Sequence, residues 1–206
     1  MTAPKTLRQS AGLLQPEQIS SAKTALILID IQNDYFNPAA LPIPQGPRVV
    51  QQSTALLDWA DENSVLVIHV QHVSPNPKSP LFAIGSHGAE IHPGVSPRPE
   101  HRLVSKTMPS SFTGTGLNEI LRKQNIETLI LGGMMTHMCV DSTARHALHL
   151  GYKVIIAADA CATRDWRSPT GDIMPADTIH AVSLAALADR FADVITTKEI
   201  CSLPIM

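Results

Sequence analysis

Cysteine is scarce in this chain: three in 206 residues, an odd number with no close pairing. That count excludes a disulfide framework and points to a reducing, cytoplasmic setting. Long apolar runs are missing as well. The longest are too short to span a bilayer, so no membrane partner is expected. Residues 1–21 are polar, carry Pro4 and Pro16, and lack the apolar stretch of a signal peptide. An excess of one charge is also absent. Lys and Arg total 16, Asp and Glu 18, for a net charge of −2. With no basic stripe, nucleic acid is excluded as the main partner. There is no internal repeat and no low-complexity segment. Gly114-Thr115-Gly116 and Gly132-Gly133 do not complete a dinucleotide fingerprint, and no phosphate-binding loop of the Walker type occurs.

What remains is an ordinary globular balance, with 44 % apolar and 17 % charged residues. The length fits one domain with a sizeable core. Residues 1–22 read as an extended arm with little core of their own, and residues 23–206 as the domain. Within it, continuous apolar runs at 25–29, 65–70, 128–131 and 153–158 read as strands buried on both faces. Shorter strands are expected at 102–106 and 192–196. Helical spacing appears at 49–63, 116–124, 140–149 and 178–191. Strands alternating with helices predict right-handed crossover units and a three-layer α/β/α fold around a mostly parallel sheet. Residues 73–100 contain six prolines and read as a long functional loop, a lid or a subunit contact. Its His87 and His92 lack carboxylates at defined spacing and read as solvated, so no metal site is expected there. Residues 164–176 read as a polar loop.

The stretch 128–151 organises the rest. An apolar run ends at Gly132-Gly133, and six residues after Gly133 comes Cys139, followed by Val140, Ala144, Ala147 and Leu148 on one helical face. A thiol at the first turn of a helix meets free amides and the positive end of the dipole. Both favour the thiolate and predict a lowered thiol pKa. Strand C-termini of an open parallel sheet share one edge, where ligands bind. Asp30 closes the first strand, Lys106 closes the third, and Cys139 follows the fourth. Together they make a nucleophilic site: Cys139 attacks, Asp30 takes and returns the proton, and Lys106 stabilises the thiolate and keeps Asp30 ionised. Cys161 and Cys201 have no such company and read as structural. His180 reads as a packing or capping residue.

These residues resemble the isochorismatase-like cysteine hydrolases over nearly all of residues 23–197. The resemblance rests on Leu28-Ile29-Asp30-Ile31-Gln32-Asn33-Asp34-Tyr35-Phe36, on Ser105-Lys106 with Ser111-Phe112, and on Gly132 through Val140. It implies a six-stranded parallel sheet flanked by helices, and a catalytic triad of Asp30, Lys106 and Cys139. It also implies a non-proline cis peptide between Met134 and Met135, with the Met135 and Cys139 amides forming an oxyanion hole. A homodimer or homotetramer follows from the same resemblance. Two departures narrow the chemistry. The Asp-x-His metal motif of the family's nicotinamidases is absent between Asp30 and Lys106, and His69 and His72 are spaced to face opposite sides of a strand. The glycine of true isochorismatases is replaced by Cys139, which favours acyl transfer over vinyl-ether hydrolysis. The expected activity is therefore hydrolysis of a small-molecule amide through a thioester, with no cofactor. Tyr35, Phe36, Phe112 and His137 are the expected pocket walls. Hydrolysis of a vinyl ether or another non-amide bond, or an idle binding role, are the alternatives.

Overall fold

The first strand shows how the layers arise. In β1 (Thr24–Ile29) every residue is buried, and successive side chains enter opposite cores. Ala25, Ile27 and Ile29 belong to one cluster, Leu26 and Leu28 to the other. A strand that must bury both faces needs helices on both sides. The computed structural model describes residues 4–13, 15–38 and 40–206. The parts of the N-terminal arm at residues 1–3 and 14, and Ala39 of the proline-rich loop, lie outside the described residues.

The main sheet contains β1, β2 (Leu66–His72), β3 (Arg102–Lys106), β4 (Thr128–Met134), β5 (Lys153–Ala162) and β8 (Asp193–Ile195), with a separate ribbon formed by β6 (Trp166–Arg167) and β7 (Ile173–Met174). The six-stranded order is β3-β2-β1-β4-β5-β8, and every pairing in it is parallel. Six α-helices accompany these strands among the described residues: α1 (Leu7–Ser10), α2 (Gly46–Glu62), α3 (Leu117–Lys123), α4 (Asp141–His149), α5 (Ala176–Arg190) and α6 (Thr197–Ser202). Val49, Leu56, Leu57 and Ala60 of α2, with Ile200 of α6, cover one face. Leu117 and Leu121 of α3, Ala144 and Ala147 of α4, and Leu187 of α5 cover the other.

Two features depart from the pattern in the sequence. Gly132 and Gly133 do not turn the chain; they continue β4, with a register shift between Leu131 and Gly133. The polar segment 164–176 holds the β6–β7 ribbon. The arm is tied down rather than loose. Ile19 is buried and bridges Ile205, and Arg8 pairs with Asp193 at 2.5 Å.

Chain order positions the site. The chain runs β1, β2, β3 towards one edge, then returns to β4 beside β1 and proceeds to the other edge. The switch point lies between the C-terminal ends of β1 and β4, the crevice where open α/β sheets bind ligands.

Candidate active site

Asp30 leaves β1 with φ +52°, an uncommon conformation that Asp tolerates better than most residues. Its amide still donates to Val70 carbonyl at 2.9 Å, so the turn starts directly at the strand end. Across the switch point Gly133 has φ +126°. A Cβ there would lie 2.0 Å from the Ile29 carbonyl oxygen, so only glycine lets β4 pass this close to β1. The following bond, Met134–Met135, is cis. Residues Thr136–Val140 then form a single π-helical turn that leads into α4. Cys139 thus sits in this wider turn, two residues ahead of the regular helix α4 rather than in its first turn.

The structure brings Asp30, Lys106 and Cys139 into contact. Lys106 Nζ meets Asp30 Oδ2 at 2.7 Å, with both side chains fully buried. The same nitrogen donates to Cys139 Sγ at 3.3 Å and lies 3.3 Å from His72 Nδ1. An ammonium carries three N–H bonds, and Lys106 meets three partners. Lys106 reaches them from the edge strand because β2 ends in register with it, His72 beside Lys106. The link to α4 is made after β3. There the Ser111 amide donates to Thr143 Oγ1 at 3.0 Å, and Ser110 Oγ is 3.0 Å from His146 Nδ1.

Burial decides the protonation. The Cys139 thiol is pushed up to about 12, first by desolvation and then by the Asp30 charge, with Lys106 opposing both. The lowered pKa predicted from a helix start is therefore wrong for the resting site: a buried thiolate loses its hydration, and the nearest carboxylate repels it. Burial also raises the Asp30 carboxyl, against the pull of Lys106. Desolvation, followed by Lys106, lowers the His72 imidazole, which is therefore neutral and accepts from the ammonium. A proton moved from Cys139 to Asp30 shifts negative charge between two groups that touch the same ammonium. The net charge of the buried cluster does not change, so the transfer escapes most of the cost of burying a new ion.

The family model for the isochorismatase domain matches residues 24–199. The chain belongs to the isochorismatase family. The Bacillus subtilis isochorismatase family protein YddQ is 37 % identical over 175 residues, covering 85 % of this chain and 97 % of that one. An isochorismatase hydrolase from Oleispira antarctica has a crystal structure with a TM-score of 0.84 and 37 % identity, covering 89 % of this chain and 98 % of that one. Escherichia coli nicotinamidase is 30 % identical over 194 residues, covering 76 % of this chain and 88 % of that relative. The six-stranded parallel fold and the assignment as a hydrolase follow from this membership. Among the described residues no cluster of three or more His, Cys, Asp or Glu side chains is arranged to hold a metal. His69 and His72 point to different places: His69 Nε2 lies 2.9 Å from His101 Nδ1, away from Lys106 and His72.

The four expected pocket residues of this isochorismatase-family chain are dispersed. Tyr35 is buried edge-on against Phe82, ring centroids 5.1 Å apart, and feels the charges of Asp30 and Cys139. His137 follows the cis bond in the π turn. Phe112 is 6.0 Å from the Tyr152 ring and 5.2 Å from that of His146, inside the core cluster that includes Cys139. Phe36 lies against His92 at 4.1 Å, on an outer hollow lined also by Asn33 and His87. Sequence reasoning missed His72, Gln32, Phe82 and Arg164. Buried Gln32 donates to the His72 and Ala89 carbonyls at 2.8 and 2.6 Å and accepts from the His72 amide at 2.9 Å. It thereby joins the end of β2 to the long loop. His72 ends a strand and was findable by the rule that selected Asp30 and Lys106. Phe82 and Arg164 lie in irregular segments that give no such signal.

Proposed function

We propose that this chain is a thiol-dependent amidohydrolase acting on small molecules through a thioester. The observation that carries the reading is the single ammonium of Lys106 touching both the Asp30 carboxylate and the Cys139 sulfur. The amide carbonyl oxygen is received by the Met135 and Cys139 amides. Asp30 takes the thiol proton as sulfur adds to the carbonyl carbon, and the carbonyl π electrons move to oxygen. Collapse of the tetrahedral adduct re-forms the carbonyl and breaks the C–N bond. The leaving nitrogen departs with the proton held by Asp30. Water, deprotonated by Asp30, then attacks the thioester. The acid leaves, and the thiolate recovers its proton from Asp30. Lys106 stays charged throughout and balances whichever of the two partners is anionic. A relative named nicotinamidase supports amide chemistry for the family, and the presence of Cys139 supports the covalent route.

The test is ammonia release from a panel of small carboxamides and ureido compounds, run with the wild-type enzyme and with Cys139→Ala. Turnover by the wild type and none by a folded Cys139→Ala is expected. Full turnover by that variant would sink the covalent scheme. Release of pyruvate from a vinyl ether, with no ammonia from any amide, would point to the ether hydrolase instead.

A further inference from the structure

A second cluster of titratable side chains lies away from the triad, where the long loop runs into β3. His69 projects from the middle of β2 and is buried. Its Nε2 lies 2.9 Å from Nδ1 of His101, the residue before β3, and the two rings stack with centroids 5.1 Å apart. The other His101 nitrogen, Nε2, is 3.0 Å from Asp61 Oδ1, near the end of α2. The Arg98 amide donates to His101 Nδ1 at 3.1 Å. The Arg98 guanidinium grips α2 as well, through Asp61 and, at 2.5 Å, through Asp58. Asp61, Arg98, Glu100 and His101 share the wall of a hollow of about 520 Å³. The charged and titratable groups facing the His101 ring are therefore Asp61 and, through Arg98, Asp58 on α2, His69 on β2, and Arg98 and Glu100 on the loop itself. These partners fix the hydrogens. A carboxylate only accepts and a backbone amide only donates. His101 thus carries its hydrogen on Nε2, towards Asp61, and keeps a lone pair on Nδ1, so the ring is neutral. His69 then donates from its own Nε2 into that same lone pair.

We propose that His101 is an acid-released clasp: as a neutral ring it ties the last residues of the long loop to β2 and α2, and protonation at Nδ1 lets the tie to the loop backbone and β2 go. The added proton converts Nδ1 from acceptor to donor. It then confronts two hydrogens, that of the Arg98 amide and that of His69 Nε2, and the amide is left without an acceptor. The contact with Asp61 survives and favours the charged ring, because a neighbouring carboxylate stabilises a cation. His69 is no rival for the proton. Burial, followed by the neighbouring His101 and Arg98, lowers it to about 4. What the clasp holds is the start of an edge strand. β3 pairs in the sheet with β2 alone, begins one residue after His101 and ends at Lys106. Opening the clasp therefore frees the approach to the strand that delivers the site's ammonium.

The test is hydrogen exchange of the full chain at about pH 7.5 and about pH 5, the span over which imidazoles change charge, corrected for the intrinsic pH dependence of exchange. At the lower pH the Arg98 amide should lose protection by about 10-fold, the scale of one hydrogen bond left unmade, while the Ile27 amide in the middle of β1 keeps its own. His101→Asn retains an acceptor at the Nδ1 position and does not titrate, so it should protect Arg98 equally at both pH values. His101→Leu has the same shape without the acceptor and should leave Arg98 unprotected at both. Nitrogen NMR of the wild-type protein at the higher pH should find hydrogen on Nε2 of both His69 and His101. Equal protection of wild-type Arg98 at both pH values overturns the clasp, as does an acid-induced loss that His101→Asn repeats, or hydrogen on Nδ1 of His101 at the higher pH. Loss at Ile27 in step with Arg98 means that the whole sheet opens, and it overturns the clasp as well.

Discussion

At the scale of single residues, the chemistry turns on one cation with two possible counter-ions. Lys106 is close to both Asp30 and Cys139, and each of those has its pKa raised by burial. The consequence is a resting thiol that stays protonated at neutral pH. Alkylation of Cys139 by iodoacetamide should therefore be slow at neutral pH and accelerate only above the ordinary thiol range. Removing the carboxylate charge in Asp30→Asn should move the labelling pKa down, because Asp30 is a cause that raises it. Lys106→Gln should move it up, since Lys106 is the group that lowers it. Opposite shifts in both variants would mean that the charges do not act on sulfur as the geometry requires. Asp30→Asn should also lower kcat by about 10²- to 10⁴-fold, the range for a lost general acid–base group.

Two elements hold those residues in register. The first is the close passage of β4 against β1 at Gly133. An added methyl meets the Ile29 carbonyl oxygen at 2.0 Å and sits on a backbone with φ +126°. Neither strand can yield without breaking the pairing of Ile29 with Gly133. Gly133→Ala should cost about 3 kcal/mol or more, the upper range for forced overpacking. For a chain of this size that lowers Tm by roughly 6–12 °C. A thermal shift of under a degree would show that the strands separate easily there. The second element is the long loop 73–100. The buried Asp34 carboxylate accepts from the Phe82 amide at 2.6 Å, and Phe82 in turn meets Tyr35 and His72. Asp34→Ala should release this anchor. Proteolysis between residues 73 and 100 should then accelerate, while the melting of the sheet changes much less.

For the molecule as a whole, the same burial that tunes the site shapes the pH dependence of stability. His69 and His137 are both lowered from 6.5 to about 4, each chiefly by desolvation. The unfolded chain then binds protons between pH 6.5 and 4 that the folded chain refuses, so stability falls as pH drops through that window. Cys139 and Cys161 are raised from 9.0 to about 12, again by burial. The unfolded chain ionises these thiols first, so stability falls as pH rises above 9. Chemical denaturation across pH should show its broadest plateau between about 6.5 and 9. His137→Gln should flatten the acidic limb and leave the alkaline one in place.

The sequence alone determined the layers and the candidates. Runs of apolar residues, alternating with helical spacing, are local signals set by the need of each strand to bury both faces. Asp30, Lys106 and Cys139 were legible because each stands at or just after the end of such a run. Sequence could not decide protonation, since desolvation depends on everything packed around a group; the argument from a helix start gave the wrong direction for Cys139. Nor could it place His72 under Lys106, Phe82 over Tyr35 or Thr163 against His137. Those contacts join segments whose spacing carries no period. Only the strand order, with its reversal between β1 and β4, brings residues 30, 106 and 139 to one crevice. Only the packed interior makes their charges act on one another at full strength.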